Sequence, residues 1–275
     1  MTSSVPERVR ERRGHPLLAA LVEDLAAGRS GPAFINAALE RLVAYWQLAS
    51  AVAVVEDQKL GVQCFAAARR HGDAEPARLR SLHRRPGVYT DPALPDHADV
   101  VDSIFHLCTV AWRIDRLHYL STHDALTGLY NRRGFDEQLG LAVNRSARYG
   151  WPFTFVLIDL NRFKDINDRL GHPVGDAVLR SVGERLRRSL RAGDVAGRIG
   201  GDEFGLLLPA YDAGHLDSVL DRLRVGGDVP AAPHVELSVG TASCPDEAAQ
   251  VDALYALADQ RLYARKGRAV FHPPA

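Results

Sequence analysis

The stretch that most constrains this chain is Arg198-Ile199-Gly200-Gly201-Asp202-Glu203-Phe204. Apolar residues flank it, with Val195 before it and Phe204-Gly205-Leu206-Leu207-Leu208 after it. Two such runs joined by Gly-Gly predict a β-hairpin, because glycine supplies the positive φ of tight hairpin turns. Two adjacent acids then sit at the tip, beside backbone that no side chain shields. Such a tip suits a phosphate-bearing ligand held through a hard cation, and it also suits a plain solvated turn. The string alone leaves both readings open.

With 275 residues the chain has room for one large domain or two modest ones. Hydrophobic residues at 46% and charged residues at 25% are ordinary globular usage, which argues against disorder. Lys+Arg and Asp+Glu balance at 34 each, so the chain is not built to coat nucleic acid or an anionic membrane. The basic cluster Arg8, Arg10, Arg12 and Arg13 is broken by Glu11 and reads as a solvated tail. Three dispersed cysteines with no CxxC pair indicate neither a disulfide framework nor a zinc knot; reduced thiols in a cytoplasmic protein are expected. No apolar run approaches the roughly 20 residues of a membrane span, and no signal peptide is expected.

Residues 1–14 form a polar tail. A first domain, 15–98, opens with a helix over 15–27 and a second from Pro32, whose apolar stripe runs Phe34, Ile35, Ala38, Leu39, Leu42, Val43 and Trp46. The pattern switches to strands at 51–55, 61–68 and 87–90. This element order resembles a small GAF-type sensor domain. Trp46, Cys64, Phe65 and Tyr89 could line a ligand pocket or fill a core. A helical connector, 99–121, carries Val100, Leu107, Val110, Ile114 and Leu117 on an a/d repeat. Such a repeat fits a short two-helix coiled coil, or else a helix packed on its own N-terminal domain. From 122 to 275 helices and strands alternate, predicting an α/β sandwich with the antiparallel hairpin at its centre.

Several ordered strings of this last region resemble the GGDEF family of diguanylate cyclases. They are the signature above, His123-Asp124-Ala125-Leu126-Thr127-Gly128-Leu129-Tyr130-Asn131-Arg132-Arg133-Gly134-Phe135, Ile158-Asp159-Leu160-Asn161-Arg162-Phe163-Lys164-Asp165-Ile166-Asn167-Asp168, Gly171-His172-Pro173-Val174-Gly175-Asp176 and Ala258-Asp259-Gln260-Arg261-Leu262-Tyr263. The resemblance implies condensation of two GTP into cyclic di-GMP by a homodimer, one GTP per domain. It implies two Mg²⁺ (or Mn²⁺) ions per half-site, held by Asp159, the Leu160 carbonyl and Asp202, with Glu203 at the metal or the attacking hydroxyl. A metal-bound pair of carboxylates is also physically sensible, since two close acids repel unless a cation or proton intervenes. Asn167 and Asp176 match the family's guanine-binding pair, and a carboxylate does suit guanine N1–H and N2–H₂. Phe163, Lys164, His172, Gly200 and Gly201 match its substrate-binding positions.

The sequence departs from the family pattern in three places. Asn161 stands where Asp is common, and Asp202 where many members have Glu. The closing run Lys266-Gly267-Arg268 is two residues short, which leaves Lys266 and Arg268 as candidates for the phosphate-binding pair. Arg191-Ala192-Gly193-Asp194 matches the family's inhibitory RxxD site for cyclic di-GMP; alone it would read as a surface ion pair. An inactive receptor for cyclic di-GMP is the alternative to an enzyme. Retention of Asp159, Asp202 and Glu203 favours the enzyme.

Overall fold

The computed structural model describes residues 15–57, 60–68, 85–209, 213–223 and 235–266. The expected N-terminal tail and Arg268 lie outside them. The chain divides into two compact units, Met1–His118 and Tyr119–Ala275.

In the first unit, helices α1 (Pro16–Ala26) and α2 (Gly31–Trp46) precede strands β1 (Ser50–Asp57), β2 (Gly61–Ala68) and β3 (Gly87–Asp91). Both helices open with proline in the first turn, where the missing N–H costs nothing. The sheet is antiparallel in the order β2-β1-β3, so the most β-branched strand is the middle one. Ala51, Ala53 and Val55 share a core with Phe34, Ile35, Leu39 and Leu42 of α2.

Strand alternation separates the four residues that could line a pocket or fill a core. Phe65 pairs with Ala53 and joins the helix-covered core, 5.7 Å from the Trp112 ring. Cys64 pairs with Val54 and Tyr89 with Val52, which places both on the opposite face. Trp46 instead sits between His15 and His97, with ring centroids 5.5 and 5.2 Å away. The four line no common pocket.

Helix α3 (Ala98–Thr122) is the connector. Its apolar repeat divides between two jobs. Val100 and Leu107 pack on the first unit's core, as do the fully buried Ile104, Cys108 and Ala111. Val110, Ile114 and Leu117 are exposed, at 44%, 45% and 67%. The packed face is also clasped by polar contacts. Asp57, at the end of β1, accepts from Trp112 Nε1 at 3.2 Å and pairs with Arg116 Nε at 3.6 Å. The Asp115 carboxylate lies where a Cβ of Gly31 would stand, against the positive first turn of α2. No helix among the described residues is long and apolar enough to cross a membrane.

The second unit contains α4 (Arg132–Tyr149), β4 (Phe153–Leu160), α5 (Phe163–Leu170), α6 (His172–Ser189), β5 (Val195–Arg198), β6 (Glu203–Pro209), α7 (Ala213–Leu223), β7 (Leu237–Cys244) and α8 (Val251–Lys266). Its described strands form one antiparallel sheet in the order β5-β6-β4-β7. The hairpin is therefore not central as a unit. β6 and β4 are the inner pair, and β5 lies outside β6.

Every residue of β4 is buried, which explains its unbroken apolar run. Val156, Ile158 and Leu160 face a core shared with α5, α6 and α7. Phe153, Phe155 and Leu157 face the other core, with α4 and α8. On that side Phe135 lies across the cross-strand pair Gly197 and Gly205; a Cβ there would come within 2.8 and 2.6 Å of its side chain. Asn131 caps α4 by accepting from the Gly134 amide at 2.9 Å. Just before it, Tyr130 bonds the edge of β5: its amide donates to Ala196 at 3.2 Å and its carbonyl accepts from Arg198 at 2.7 Å.

Candidate active site

Strand β4 leads straight into α5 because Arg162, at the N-cap, adopts the left-handed conformation at φ 59°. A non-glycine residue there costs about 1 kcal/mol, and such turns cluster at functional sites. The turn presents Phe163 and Lys164 at the start of α5. Gly171, at φ 84°, then reverses the chain into α6. Gly175 lets α6 approach α5 closely, since a Cβ there would fall 3.2 Å from the Phe163 ring and overlap the Asn167 side chain.

A cleft of about 370 Å³ opens against these helices. Phe163, Lys164, Asn167, His172 and Asp176 line it from α5 and α6; Gly201 and Asp202 line it from the signature loop. Asp176 also pairs with Arg180 at 3.6 Å, an exposed contact of little strength.

The signature loop, residues 199–202, is closed by the amides of Ile199 and Gly200, which both donate to the Glu203 carbonyl at 2.9 and 3.3 Å. Neither Gly200 nor Gly201 has a positive φ, contrary to the expectation from hairpin turns. At Gly200 a Cβ would meet the side chain of Glu203, carboxylate end first. Gly201 has nothing within 4 Å of its Cβ direction, and it borders the cleft.

Asp159 is the penultimate residue of β4. It is buried inside β4, opposite Glu203 of β6 and Ser238 of β7. Asp202 is tied one step further on, its carbonyl accepting from the Leu160 amide at 3.1 Å. The acid directly across from Asp159 is thus Glu203 rather than Asp202. Asn161, at the departure from the family pattern, accepts on its side-chain oxygen from Ser238 Oγ at 2.7 Å and donates its backbone N–H to the Glu236 carbonyl at 2.9 Å.

Among the described residues no three His, Cys, Asp or Glu side chains converge as a ready-made metal cage. The groups at this strand end are nonetheless all oxygen donors, two or three carboxylates beside backbone carbonyls. That set fits a hard divalent ion completing its shell with water and substrate oxygens.

Two residues within the quoted strings belong to the site's framework, though the sequence assigned them no role. Arg198 lines the cleft and folds over the loop, donating from Nε and Nη2 to the Gly201 carbonyl at 3.2 and 2.8 Å. Its Nη1 reaches both oxygens of Asp124 at 3.4 and 3.3 Å. Asp124 in turn accepts from the Thr127 amide and hydroxyl at 2.9 and 2.7 Å. Burial pushes the Asp124 carboxyl up, but the Thr127 bonds and Arg198 together outweigh it and hold the group below its ordinary range. The Asp-x-x-Thr spacing of 124–127 was a legible turn signal; its link to Arg198 was not.

Arg191 and Asp194 do not line the cleft. Asp194 accepts from the Arg191 amide at 2.8 Å, closing a turn between α6 and β5 that contains Gly193 at φ 102°. Lys266 is the last residue of α8, and its side chain is outside the description.

Comparison with known proteins bears on this geometry. The family described as "Diguanylate cyclase, GGDEF domain" matches residues 121–269, more than half the chain. The uncharacterised protein YhcK of Bacillus subtilis is 38% identical over 153 residues, 52% of this chain and 42% of that protein. The diguanylate cyclase TpbB of Pseudomonas aeruginosa is 34% identical over 165 residues, 56% of this chain and 37% of that protein. The chain thus spans about two fifths of the length of these relatives. Among solved structures, the coiled coil and GGDEF domain of DgcB from Caulobacter crescentus, in complex with c-di-GMP, matches with a TM-score of 0.56 and 26% identity. It covers 64% of this chain and 96% of that one. The diguanylate cyclase SiaD from P. aeruginosa, in complex with its activator SiaC, matches with a TM-score of 0.53 and 30% identity, covering 70% of this chain and 71% of that one. The chain belongs to the GGDEF diguanylate cyclase family.

Proposed function

We propose that this protein is a diguanylate cyclase, condensing two GTP into cyclic di-GMP with release of two pyrophosphates. The observation that carries the reading is the cleft. Residues from the 158–168, 171–176 and 198–204 strings meet there, at a glycine whose Cβ would stand in empty space. A position that needs no glycine for its own fold, yet has one beside a cleft, is explained by a ligand that comes close to its backbone.

In this reading Asn167 and Asp176 hold the guanine edge, and the carboxylate selects GTP over ATP because adenine lacks the N1–H and N2–H₂ donors. Phe163, His172 and Lys164 hold the nucleotide, with Lys164 facing the phosphates. Lys266 and Arg268 add charge to the triphosphate. Gly200 and Gly201 admit it to the backbone. Asp159, the Leu160 carbonyl, Asp202 and Glu203 hold two Mg²⁺ or Mn²⁺ ions. A bound metal supplies charge neutralisation at the α-phosphate and at the leaving pyrophosphate. Glu203, exposed at the start of β6, would take the proton of the attacking 3′-hydroxyl. The Arg198 clamp on Gly201 keeps the loop that carries these acids in one conformation.

Each domain holds one GTP, so turnover requires two chains. The exposed Val110, Ile114 and Leu117 of α3 supply the seam, and the DgcB relative is described as having a coiled coil with its GGDEF domain. Arg191 and Asp194 form the product-inhibition site. The first unit acts as a GAF-like sensor, a reading supported by its element order, and the protein works in the cytoplasm.

The test is incubation with GTP or ATP and Mg²⁺, with products identified by mass. Cyclic di-GMP from GTP alone supports the reading; no cyclic dinucleotide, or equal use of ATP, refutes it. Arg191→Ala is expected to raise end-point yield by relieving inhibition. Equal inhibition of wild type and variant by added cyclic di-GMP would reduce the RxxD turn to a surface pair.

A further inference from the structure

The α4/α8 side of the second unit's sheet carries a second cavity, of about 320 Å³, which shares only Glu203 with the residues of the proposed reaction. Its floor is apolar and buried, formed by Leu157, Ile199 and Leu262. Tyr255 supplies an aromatic wall whose position is fixed. Its hydroxyl donates to Asp136 Oδ1 at 2.6 Å, and its ring stands edge-on to Phe155 at 4.8 Å. Arg132 lies over the same ring at 4.8 Å and bonds Asp136 Oδ2 at 3.1 Å.

Arg132 is therefore already balanced by Asp136. The other charged groups lining the cavity are Glu203 and Asp259, both acids. Neither side chain makes an ion pair or hydrogen bond with a described residue. An apolar floor, an aromatic wall and two carboxylates that no described cation pairs in the metal-free chain define the chemistry of a guest. We propose that this cavity binds a small organic cation with an apolar or aromatic body, a primary amine or an amidine. Its charge lies between Glu203 and Asp259, and its body rests against Tyr255 and the leucines.

The site stands on this geometry alone. Its consequence rests on the proposed function. Glu203 is both a wall of this cavity and the cross-strand neighbour of Asp159. A cation here would engage the carboxylate that the reaction requires, so the occupied site inhibits turnover.

The probe is benzamidine, titrated calorimetrically into the full chain without nucleotide, beside neutral benzamide and anionic benzoate. Saturable one-to-one binding of benzamidine, and none of benzoate, is expected. Asp259→Asn should weaken benzamidine about fivefold or more, by removing one of the two charges. Ala256→Phe, which fills the cavity from an exposed position of α8, should abolish binding without changing the melting temperature. Equal binding of benzamidine and benzoate, or undiminished binding to both variants, overturns the proposal. Assays with GTP and Mg²⁺ separate the two readings. A protein that makes cyclic di-GMP but does not bind benzamidine refutes this site only. One that binds benzamidine yet makes no cyclic di-GMP refutes the proposed function and leaves the site standing.

Discussion

Gly201 and Gly205 lie on the same hairpin, and a methyl group would meet opposite surroundings at the two. At Gly205 it would press on the Phe135 ring at 2.6 Å, inside a core with no room to yield. Gly205→Ala is expected to destabilise the second unit by about 1–3 kcal/mol through overpacking. At Gly201 the methyl meets nothing, and the backbone is not left-handed, so Gly201→Ala should keep stability within about 0.5 kcal/mol of wild type. It should nevertheless weaken GTP binding, because the methyl projects where the nucleotide passes. Thermal melts and GTP titrations of both variants check this contrast; unchanged GTP affinity in Gly201→Ala would remove the cleft's strongest support. The glycines were legible as special positions in the sequence. The reason was not, since hairpin statistics suggest positive φ while the fold lays the Glu203 side chain against Gly200 and leaves Gly201 bare. Arg198 was hidden for a similar reason: its partner Asp124 is remote in the chain, and only the folded hairpin brings them together.

At the scale of elements, periodicity placed helices and strands well but could not say what covers each face. The connector shows this. Its a/d residues are real, yet Val100 and Leu107 serve the first unit's core while Val110, Ile114 and Leu117 remain exposed. Of the two readings open for Trp46, Cys64, Phe65 and Tyr89, core filling holds for Phe65 and Trp46, and hairpin pairing puts Phe65 and Cys64 on opposite faces of β2. Helix α8 gives a prediction from electrostatics. Arg261 holds Glu247 with two bonds, 2.9 and 2.6 Å, and the Ser243 amide adds a third at 2.9 Å. The Arg261 hydrogen bonds first, and the Ser243 amide second, lower the Glu247 carboxyl to about 2. A depressed acid stabilises the fold fully above its unfolded value, about 4.3, and loses that contribution as pH falls through its folded value. The pair is 41% and 35% exposed, so screening keeps the effect small. Glu247→Gln should therefore melt slightly below wild type at neutral pH, with the gap closing between about pH 4 and pH 2. A gap that persists at pH 2 would contradict the ion-pair account.

At the scale of the whole molecule, the account requires two chains and two bound GTP. In the proposed reading, association through α3 would raise the local concentration of the second half-site to roughly millimolar. The same helix is clasped on its other face by Asp57, so if the exposed stripe is the seam, a change in the first unit would have a mechanical route to it. Ile114→Lys places a charge in that seam opposite its symmetry mate. The variant should bind GTP normally, associate more weakly and show specific activity that rises with protein concentration well above the range where wild type has levelled off. Coincident activity curves for the two proteins would mean that the exposed stripe is not the seam.

The central claim is that the cleft beside the signature loop makes cyclic di-GMP. The most direct measurement is cyclic di-GMP formed per GTP consumed, determined by mass for wild type and Asp202→Ala under identical Mg²⁺ and protein concentrations, with melting temperatures taken alongside. The prediction is stoichiometric cyclic di-GMP from wild type and none above background from Asp202→Ala, with both proteins folded to the same temperature. Cyclic di-GMP at near-normal rate from Asp202→Ala, or none from a folded, GTP-bound wild type, would contradict it.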